Sequence, residues 1–161
     1  MNQLWKSLRT DLSTLLNVKE DSFLIKIYEN SSNVFFTLEE FFNQYNPEEL
    51  QKGQCNLMFR IDAGGKSIAT FQLKDMYNCN GIIVGSDLLV IRAFRNKGLG
   101  TLLTKFMMEF SKYYGYGVIQ AADLTSNEYQ VKIFTKLGWE KSINFNNPKT
   151  GNNLTIWFNK F

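Results

Sequence analysis

Leu4, Trp5, Leu8, Leu12, Leu15 and Leu16 recur at helical intervals near the start of the chain, which predicts an opening amphipathic helix. The pattern then shortens: SFLIKIY, residues 22–28, reads as a strand. TLEEFFNQY begins with Thr37 three residues before Glu40, the spacing of a capping box. NPEELQKG supplies Asn46 as N-cap, Pro47 at the first helical position and Gly53 as a stop, so two short consecutive helices are expected. CNLMFRID and KSIATFQLK flank Ala63-Gly64-Gly65 as strand, turn and strand, and GIIVGSDLLVI is a third strand. Leu99, Leu102, Leu103, Phe106, Met107 and Phe110 then share one helical face, which Gly115 and Gly117 end. VIQAA predicts a short buried strand and NEYQVKIFTKLG a helix stopped at Gly138. WEKSINF and LTIWFNKF are two last strands joined by NNPKTGNN. With no internal repeat or linker, the order predicts one α+β domain with a largely antiparallel sheet.

Composition agrees with a chain that folds around its own core. The 161 residues are 44% hydrophobic and hold only two prolines, which argues against disorder or low complexity. No apolar run approaches the ~20 residues that span a bilayer, and MNQLWKSLRTDLSTLL lacks the basic-then-apolar order of a secretion signal. A cytoplasmic protein is the expectation. The net charge of +3 is scattered, too weak an indication for nucleic acid but suited to a modest basic patch around an anionic ligand. There is no histidine, so a triad or metal site that needs one is excluded. Cys55 and Cys79 show neither metal-ligand spacing nor a disulfide framework, and free thiols in a reducing compartment are expected.

The chain breaks its strand-to-helix passage with Arg95-Asn96-Lys97-Gly98-Leu99-Gly100. Backbone N–H groups at a helix start can converge on an anion, aided by the helix dipole. Glycines let that backbone come close to a ligand, and Arg95 and Lys97 would add charge at the rim. A plain turn with solvated basic residues is equally compatible with so short a pattern.

This turn resembles the Arg/Gln-x-x-Gly-x-Gly/Ala turn of the GNAT superfamily of N-acetyltransferases. DLLVIRAF before it resembles the family's fourth strand, and NEYQVKIFTKLGW, residues 127–139, resembles its second motif, an Asn followed by a helix that ends in aromatic-x-Lys-Leu-Gly-aromatic. The resemblance covers residues 22–161 as a GNAT-like domain and leaves residues 1–21 as an N-terminal helical extension. It implies a mixed, largely antiparallel central sheet flanked by helices, with that extra helix in front.

It further implies acetyl-CoA as acetyl donor, without a metal. Pantetheine would lie along Leu88, Leu89 and Val90, with the thioester near Val90, whose strand amides could polarise its carbonyl. The pyrophosphate would rest on the turn formed by Arg95, Asn96, Lys97, Gly98, Leu99, Gly100 and Thr101. Asn127 matches an Asn that contacts the cofactor arm, although it could equally be only a helix cap. The acceptor would be an amine-bearing small molecule or protein, not a membrane or nucleic acid, and a homodimer is left open.

Two positions depart from the family pattern. Where many relatives carry a Tyr acid this chain has Phe134, and where some carry a Glu it has Ala122. Phe134 cannot donate a proton, so packing beside the thioester is its implied role. Asp87, Asp123, Tyr129, Ser126 or a water could move protons, and no catalytic residue is assigned. The reading is therefore an N-acetyltransferase that transfers directly to an amine, with a catalytically degenerate acyl-CoA-binding or partner-binding module as the alternative. AGGKS does not form a nucleotide P-loop, because Arg60 stands where the first glycine belongs and no helix follows. Cys79 has no histidine to activate it. Phe35, Phe36, Phe41, Phe42 and Tyr45 are expected to pack the first helices onto the sheet.

Overall fold

Alternate residues of the central strands are apolar, and the computed structural model, which describes residues 2–123 and 127–159, turns them to one side of a sheet. The elements run α1 (Asn2–Leu16), β1 (Phe23–Glu29), β2 (Phe35–Thr37), α2 (Leu38–Gln44), α3 (Pro47–Lys52), β3 (Asn56–Ala63), β4 (Lys66–Asp75), β5 (Ile82–Val90), α4 (Leu99–Tyr113), β6 (Gly117–Asp123), α5 (Glu128–Lys136), β7 (Glu140–Asn146) and β8 (Asn153–Asn159). Among the described residues eight strands form one sheet in the order β2-β1-β3-β4-β5-β6-β8-β7. Neighbours are antiparallel except for β5 and β6, which are parallel because α4 carries the chain across between them. The α+β, largely antiparallel architecture expected from the sequence is the one found. The three-residue β2 was not expected. It extends the edge beside β1 with Phe36 opposite Ile27.

The core forms where the apolar side of the sheet meets α4. Phe59 and Phe71, on neighbouring strands, stack at 4.5 Å. Phe106 and Phe110 of α4 meet Phe59 edge-on at 6.1 and 5.1 Å. Phe41 and Phe42 of α2 reach Phe110 at 6.0 and 5.9 Å, which places α2 on the same side. Burying one such ring contributes roughly 2–3 kcal/mol. The α2–α3 segment is tied to the end of α4 by polar groups: the Tyr114 hydroxyl donates to the Tyr45 carbonyl at 3.0 Å, and the Gln51 amide donates to the Tyr114 carbonyl at 2.6 Å. Helix α1 packs on α4 with Leu8 and Leu12 buried.

Helix α5 covers the same side further along. Gln120 of β6 donates to the Met107 Sδ of α4 at 3.4 Å, and its register partner Trp157 on β8 touches Phe134 of α5 at 5.5 Å. The opposite face therefore carries the alternate residues, among them Lys26, Tyr28, Met58, Arg60, Asp62, Gln72 and Lys74. Asp62 is buried there between Lys26 and Arg60, at 2.8 and 2.6 Å. Burial alone would raise its pKa, but hydrogen bonds from Lys26 and Arg60 hold it below the usual carboxylate range.

Both short helices have the caps that their sequences announced. Thr37 accepts from the Glu40 N–H, and the Glu40 carboxylate accepts from the Thr37 N–H at 2.7 Å. That second bond holds the Glu40 pKa below its ordinary value. A depressed folded-state pKa stabilises above the unfolded value and loses that contribution as pH falls through the folded one. The Thr37 hydroxyl also donates to that carboxylate at 2.9 Å, so Thr37→Ala should cost about 1 kcal/mol in urea unfolding at neutral pH, with a smaller deficit in acid, where Glu40 is protonated in either protein. An equal deficit at both pH values would show that the bond from the Thr37 hydroxyl to the Glu40 carboxylate does not matter.

Candidate functional site

Strand β5 leaves the strand beside it. It pairs with β6 only through Ile82, Ile83 and Val84, opposite Gly117, Val118 and Ile119. Beyond Val84 it stays on β4, reaching Val90 opposite Ala69, while β6 stays on β8. A gap therefore opens inside the sheet, with the backbone of residues 85–90 along one side. A bulge helps to turn β5 away: the register shifts between Thr70 and Gln72, and Asp87 is left-handed at φ 53°.

The chain then makes a single 3-10 turn, Arg92–Phe94, and enters the glycine turn. Asn96 and Gly98 both have left-handed backbones, with φ of 60° and 86°. Gly98 is the N-cap of α4 and has no side chain to cap it. The first bond across the helix start runs from the Leu102 N–H to the Gly98 carbonyl at 3.0 Å. The N–H groups of the first turn consequently have no intrahelical acceptor and point at the gap end of the helix. The Arg95 Nε donates to the Val90 carbonyl at 2.8 Å, tying the turn to the end of β5, and the Lys97 Nζ lies 5.4 Å above the Phe94 ring.

A cleft of about 590 Å³ collects these features. Leu88, Leu89, Val90, Arg95, Asn96, Gly98, Leu99, Gly100 and Thr101 of the expected set line it together. Phe94 joins them, and α5 supplies Tyr129, Gln130, Lys132, Ile133 and Lys136 as the facing wall, none of which the motif reading had put in the binding set. The lining carries Arg95, Lys132 and Lys136 and no carboxylate, which suits a polyanion. A cavity of about 650 Å³ between α1 and α4 is lined by those two helices alone, and its wall mixes Asp11 and Glu109 with Lys105 and Lys112.

Three expected residues stand outside the lining of the cleft: Lys97, Asn127 and Phe134. The Asn127 side chain caps α5, accepting from the Gln130 N–H at 3.2 Å. Phe134 is fully buried, stacked on Trp139 at 4.6 Å. Helical geometry separates it from its neighbour: Ile133 faces α4, where a β-carbon on Gly100 would lie 3.3 Å from the Ile133 Cδ1, while Phe134 faces the sheet. The Gln130 amide donates to the Gln120 Oε1 at 3.4 Å, an amide pair joining α5 to β6.

Of the groups considered for proton transfer, Asp87 is exposed and accepts from the Ser86 hydroxyl at 3.3 Å, and Tyr129 is exposed at the cleft wall. Asp123 and Ala122 lie on β6, opposite Leu154 and Thr155, and Ser126 lies outside the described residues. Burial pushes the Cys55 thiol up to about 12, aided by Asp75 and Glu29, so it is a packing group. Gly64 and Gly65 make the β3–β4 hairpin turn. No cluster of three acidic or thiol ligands occurs among the described residues.

The model of the acetyltransferase (GNAT) family matches residues 22–139. No curated protein sequence matches the chain. Among solved structures, a GNAT family acetyltransferase from Elizabethkingia anophelis with acetyl-CoA bound superposes with TM-score 0.63 at 14% identity, covering 88% of this chain and 99% of that one. The IAA acetyltransferase of Bacillus cereus gives TM-score 0.61 at 17% identity over 85% and 98%. The ribosomal-protein-S18-alanine N-acetyltransferase of Escherichia coli gives 0.59 at 13% over 84% and 92%. At such identities the likeness is one of fold.

Proposed function

We propose, for a chain that belongs to the acetyltransferase (GNAT) family, that it binds acetyl-CoA in the cleft between β5 and α5 and transfers the acetyl group directly to an amine. One observation carries the reading. The gap in the sheet ends at an uncapped helix start whose left-handed glycine leaves backbone N–H groups open to an anion. Those amides, with Arg95 at the rim, hold the pyrophosphate. The domain of residues 22–161 carries the site, with α1 (Asn2–Leu16) as an added helix in front of it.

The pantetheine arm extends from the turn along Leu88, Leu89 and Val90. The unpaired stretch of β5 has six residues, roughly 20 Å at about 3.3 Å each, so the arm carries the thioester beyond Val90 toward the bulge. There the free amine attacks the carbonyl carbon, the C–S bond breaks, and the sulfur leaves as thiolate to take up a proton. Asp87 is the one carboxylate on that stretch of β5, and it accepts the proton from the amine directly or through water. Strand N–H groups supply the polarisation of the carbonyl. Holding the reactants together lowers the barrier even without a dedicated acid.

Phe134 favours a second reading, a module that binds acyl-CoA without turnover, because a buried phenyl ring has no proton to give the thiolate. Both readings require the cofactor. Acetyl-CoA at about 100 times its Kd should stabilise the protein by about 2.7 kcal/mol, a rise in Tm on the order of 5–10 °C for a chain of this size. An unchanged Tm, with no heat of binding in calorimetry, would reject the cleft assignment. Release of CoA thiol in the presence of an amine panel separates enzyme from binding module.

A further inference from the structure

The face of the sheet that the helices leave uncovered holds a third cavity, and strand register connects it with the gap. Tyr28 pairs with Met58, Met58 with Gln72, and Gln72 with Ser86. Register partners share a face, so these four side chains form one row across β1, β3, β4 and β5. The row ends at Ser86, two residues past Val84, where β5 has already parted from β6. At about 4.8 Å between strands, its length is roughly 14 Å. Tyr28, Met58 and Gln72 line a cavity of about 400 Å³ together with Arg60 and Lys74.

Charge is distributed along this row in one direction. Arg60 and Lys26 flank it on one side, and Lys74 flanks it on the other. Lys26 and Arg60 share the buried Asp62, which leaves one positive charge in excess. Lys74 is exposed and makes no ion pair among the described residues, so it adds a second. At the other end of the row Ser86 donates to Asp87, the exposed carboxylate on the bulge. A carboxylate thus stands at the gap, and cations stand about 8–12 Å away, one or two strands across and a residue pair along. Ser31, Ser32 and Asn33 close the far wall with polar side chains.

Resting on the transferase reading above, we infer that the acceptor is an amine carrying a carboxylate or phosphate, held along this row with its ammonium at Asp87 and its anion between Arg60 and Lys74. The acceptor approaches from the open face of the sheet, while the donor occupies the side flanked by α4 and α5. The gap beside residues 85–90 is where the two meet.

The test compares matched amines that differ in one anionic group: triglycine with triglycine amide, and 4-aminobutyl phosphate with 4-aminobutanol. Equilibrium binding is measured on the protein with and without saturating CoA, beside CoA-thiol release with acetyl-CoA. The members that carry the anion should bind about ten-fold tighter than their anion-free twins, as expected for partly screened charges, and the advantage should shrink in 0.5 M salt. Lys74→Met, at an exposed site that leaves the fold intact, should erase most of the advantage and leave affinity for the anion-free twins and for CoA unchanged. Arg60→Gln should act alike, and the Lys74 variant decides if that one unfolds. The peptide and phosphate arms show which anion is preferred. Equal binding of the twins, no binding of any amine, or an equal loss for both twins in Lys74→Met would overturn the inference. Charge-selective binding without thiol release would remove the transferase reading and leave the anion pocket standing.

Discussion

Gly98→Val should lose at least about 100-fold in acetyl-CoA affinity, about 2.7 kcal/mol, in protein that is still folded. The backbone at this N-cap is left-handed, with φ 86°. That region costs an ordinary L-residue about 1–2 kcal/mol and a β-branched one more. A β-carbon there would also lie 3.2 Å from the Leu15 Cδ1 at the end of α1. The variant either keeps the turn under strain or rotates it out of the left-handed region, and rotation moves the N–H groups of residues 98–101 off the phosphate. Strain alone would only destabilise, so a control is needed. Gly138 is also left-handed, at φ 75°, with nothing within 4 Å of an added β-carbon, and it lies past the end of α5. Gly138→Val should lose similar stability and keep its CoA affinity. Affinities are compared by calorimetry at a temperature where circular dichroism shows both variants folded. Equal CoA affinity in the Gly98 and Gly138 variants would reduce the glycine turn to an ordinary connection.

Phe134→Ala should be the most destabilising of the substitutions considered, by about 3–5 kcal/mol. The ring is fully buried, stacked on Trp139 at 4.6 Å and tilted against Trp157 at 5.5 Å, so truncation leaves a void between α5 and β8. Phe134→Tyr keeps the ring and adds a hydroxyl. Its loss should stay below that of alanine, at no more than the roughly 1–3 kcal/mol of one unpaired buried polar group. The Trp157 Nε1 is a buried donor without a partner and offers the new oxygen an acceptor role if the hydroxyl turns that way. The Tyr variant should retain CoA binding, since position 134 stands outside the lining of the cleft, and a rise in CoA-thiol release would show that the new hydroxyl reaches the departing sulfur. Urea unfolding gives the stabilities, and thiol release at matched CoA occupancy gives the activities. Equal release by wild-type and Tyr proteins would leave position 134 a packing position between α5 and β8. Unchanged stability of the Ala variant would contradict the packing of α5 itself.

Elements with strong periodicity or explicit caps were legible before any coordinates. Thr37 with Glu40 forms the capping box that its spacing announced, and Asn46, read as an N-cap, turns out to form a second box with Glu49. The β5-to-α4 passage was legible because two left-handed positions call for Asn and Gly, which the chain supplies at 96 and 98. Less could be read where tertiary packing decides. Strand β2 has three residues, too few for a period, and exists only because β1 offers it an edge. On α5 the sequence places Ile133 beside Phe134 with equal hydrophobic claim, and docking against Trp157 sends the second inward and the first to the cleft. Tyr129, Gln130 and Lys132 reached the cleft wall by the same rotation. The row from Tyr28 to Ser86 needed the register of four strands, which no local pattern encodes.

The three rungs between β5 and β6 make the sheet a joined pair of half-sheets, one ending at β5 and the other starting at β6. As cooperative units the halves are unequal: the first keeps the stacked Phe59 and Phe71 under α4, and the second holds Trp157 under α5. Cohesion between them relies on helix contacts such as Gly100 with Ile133 and Met107 with Gln120. Partial opening along this seam should be the lowest-energy excursion of the native state short of fraying at its ends. A molecule lying in the gap acts as a clasp across it, so occupancy couples the folding of the last three strands to that of the rest.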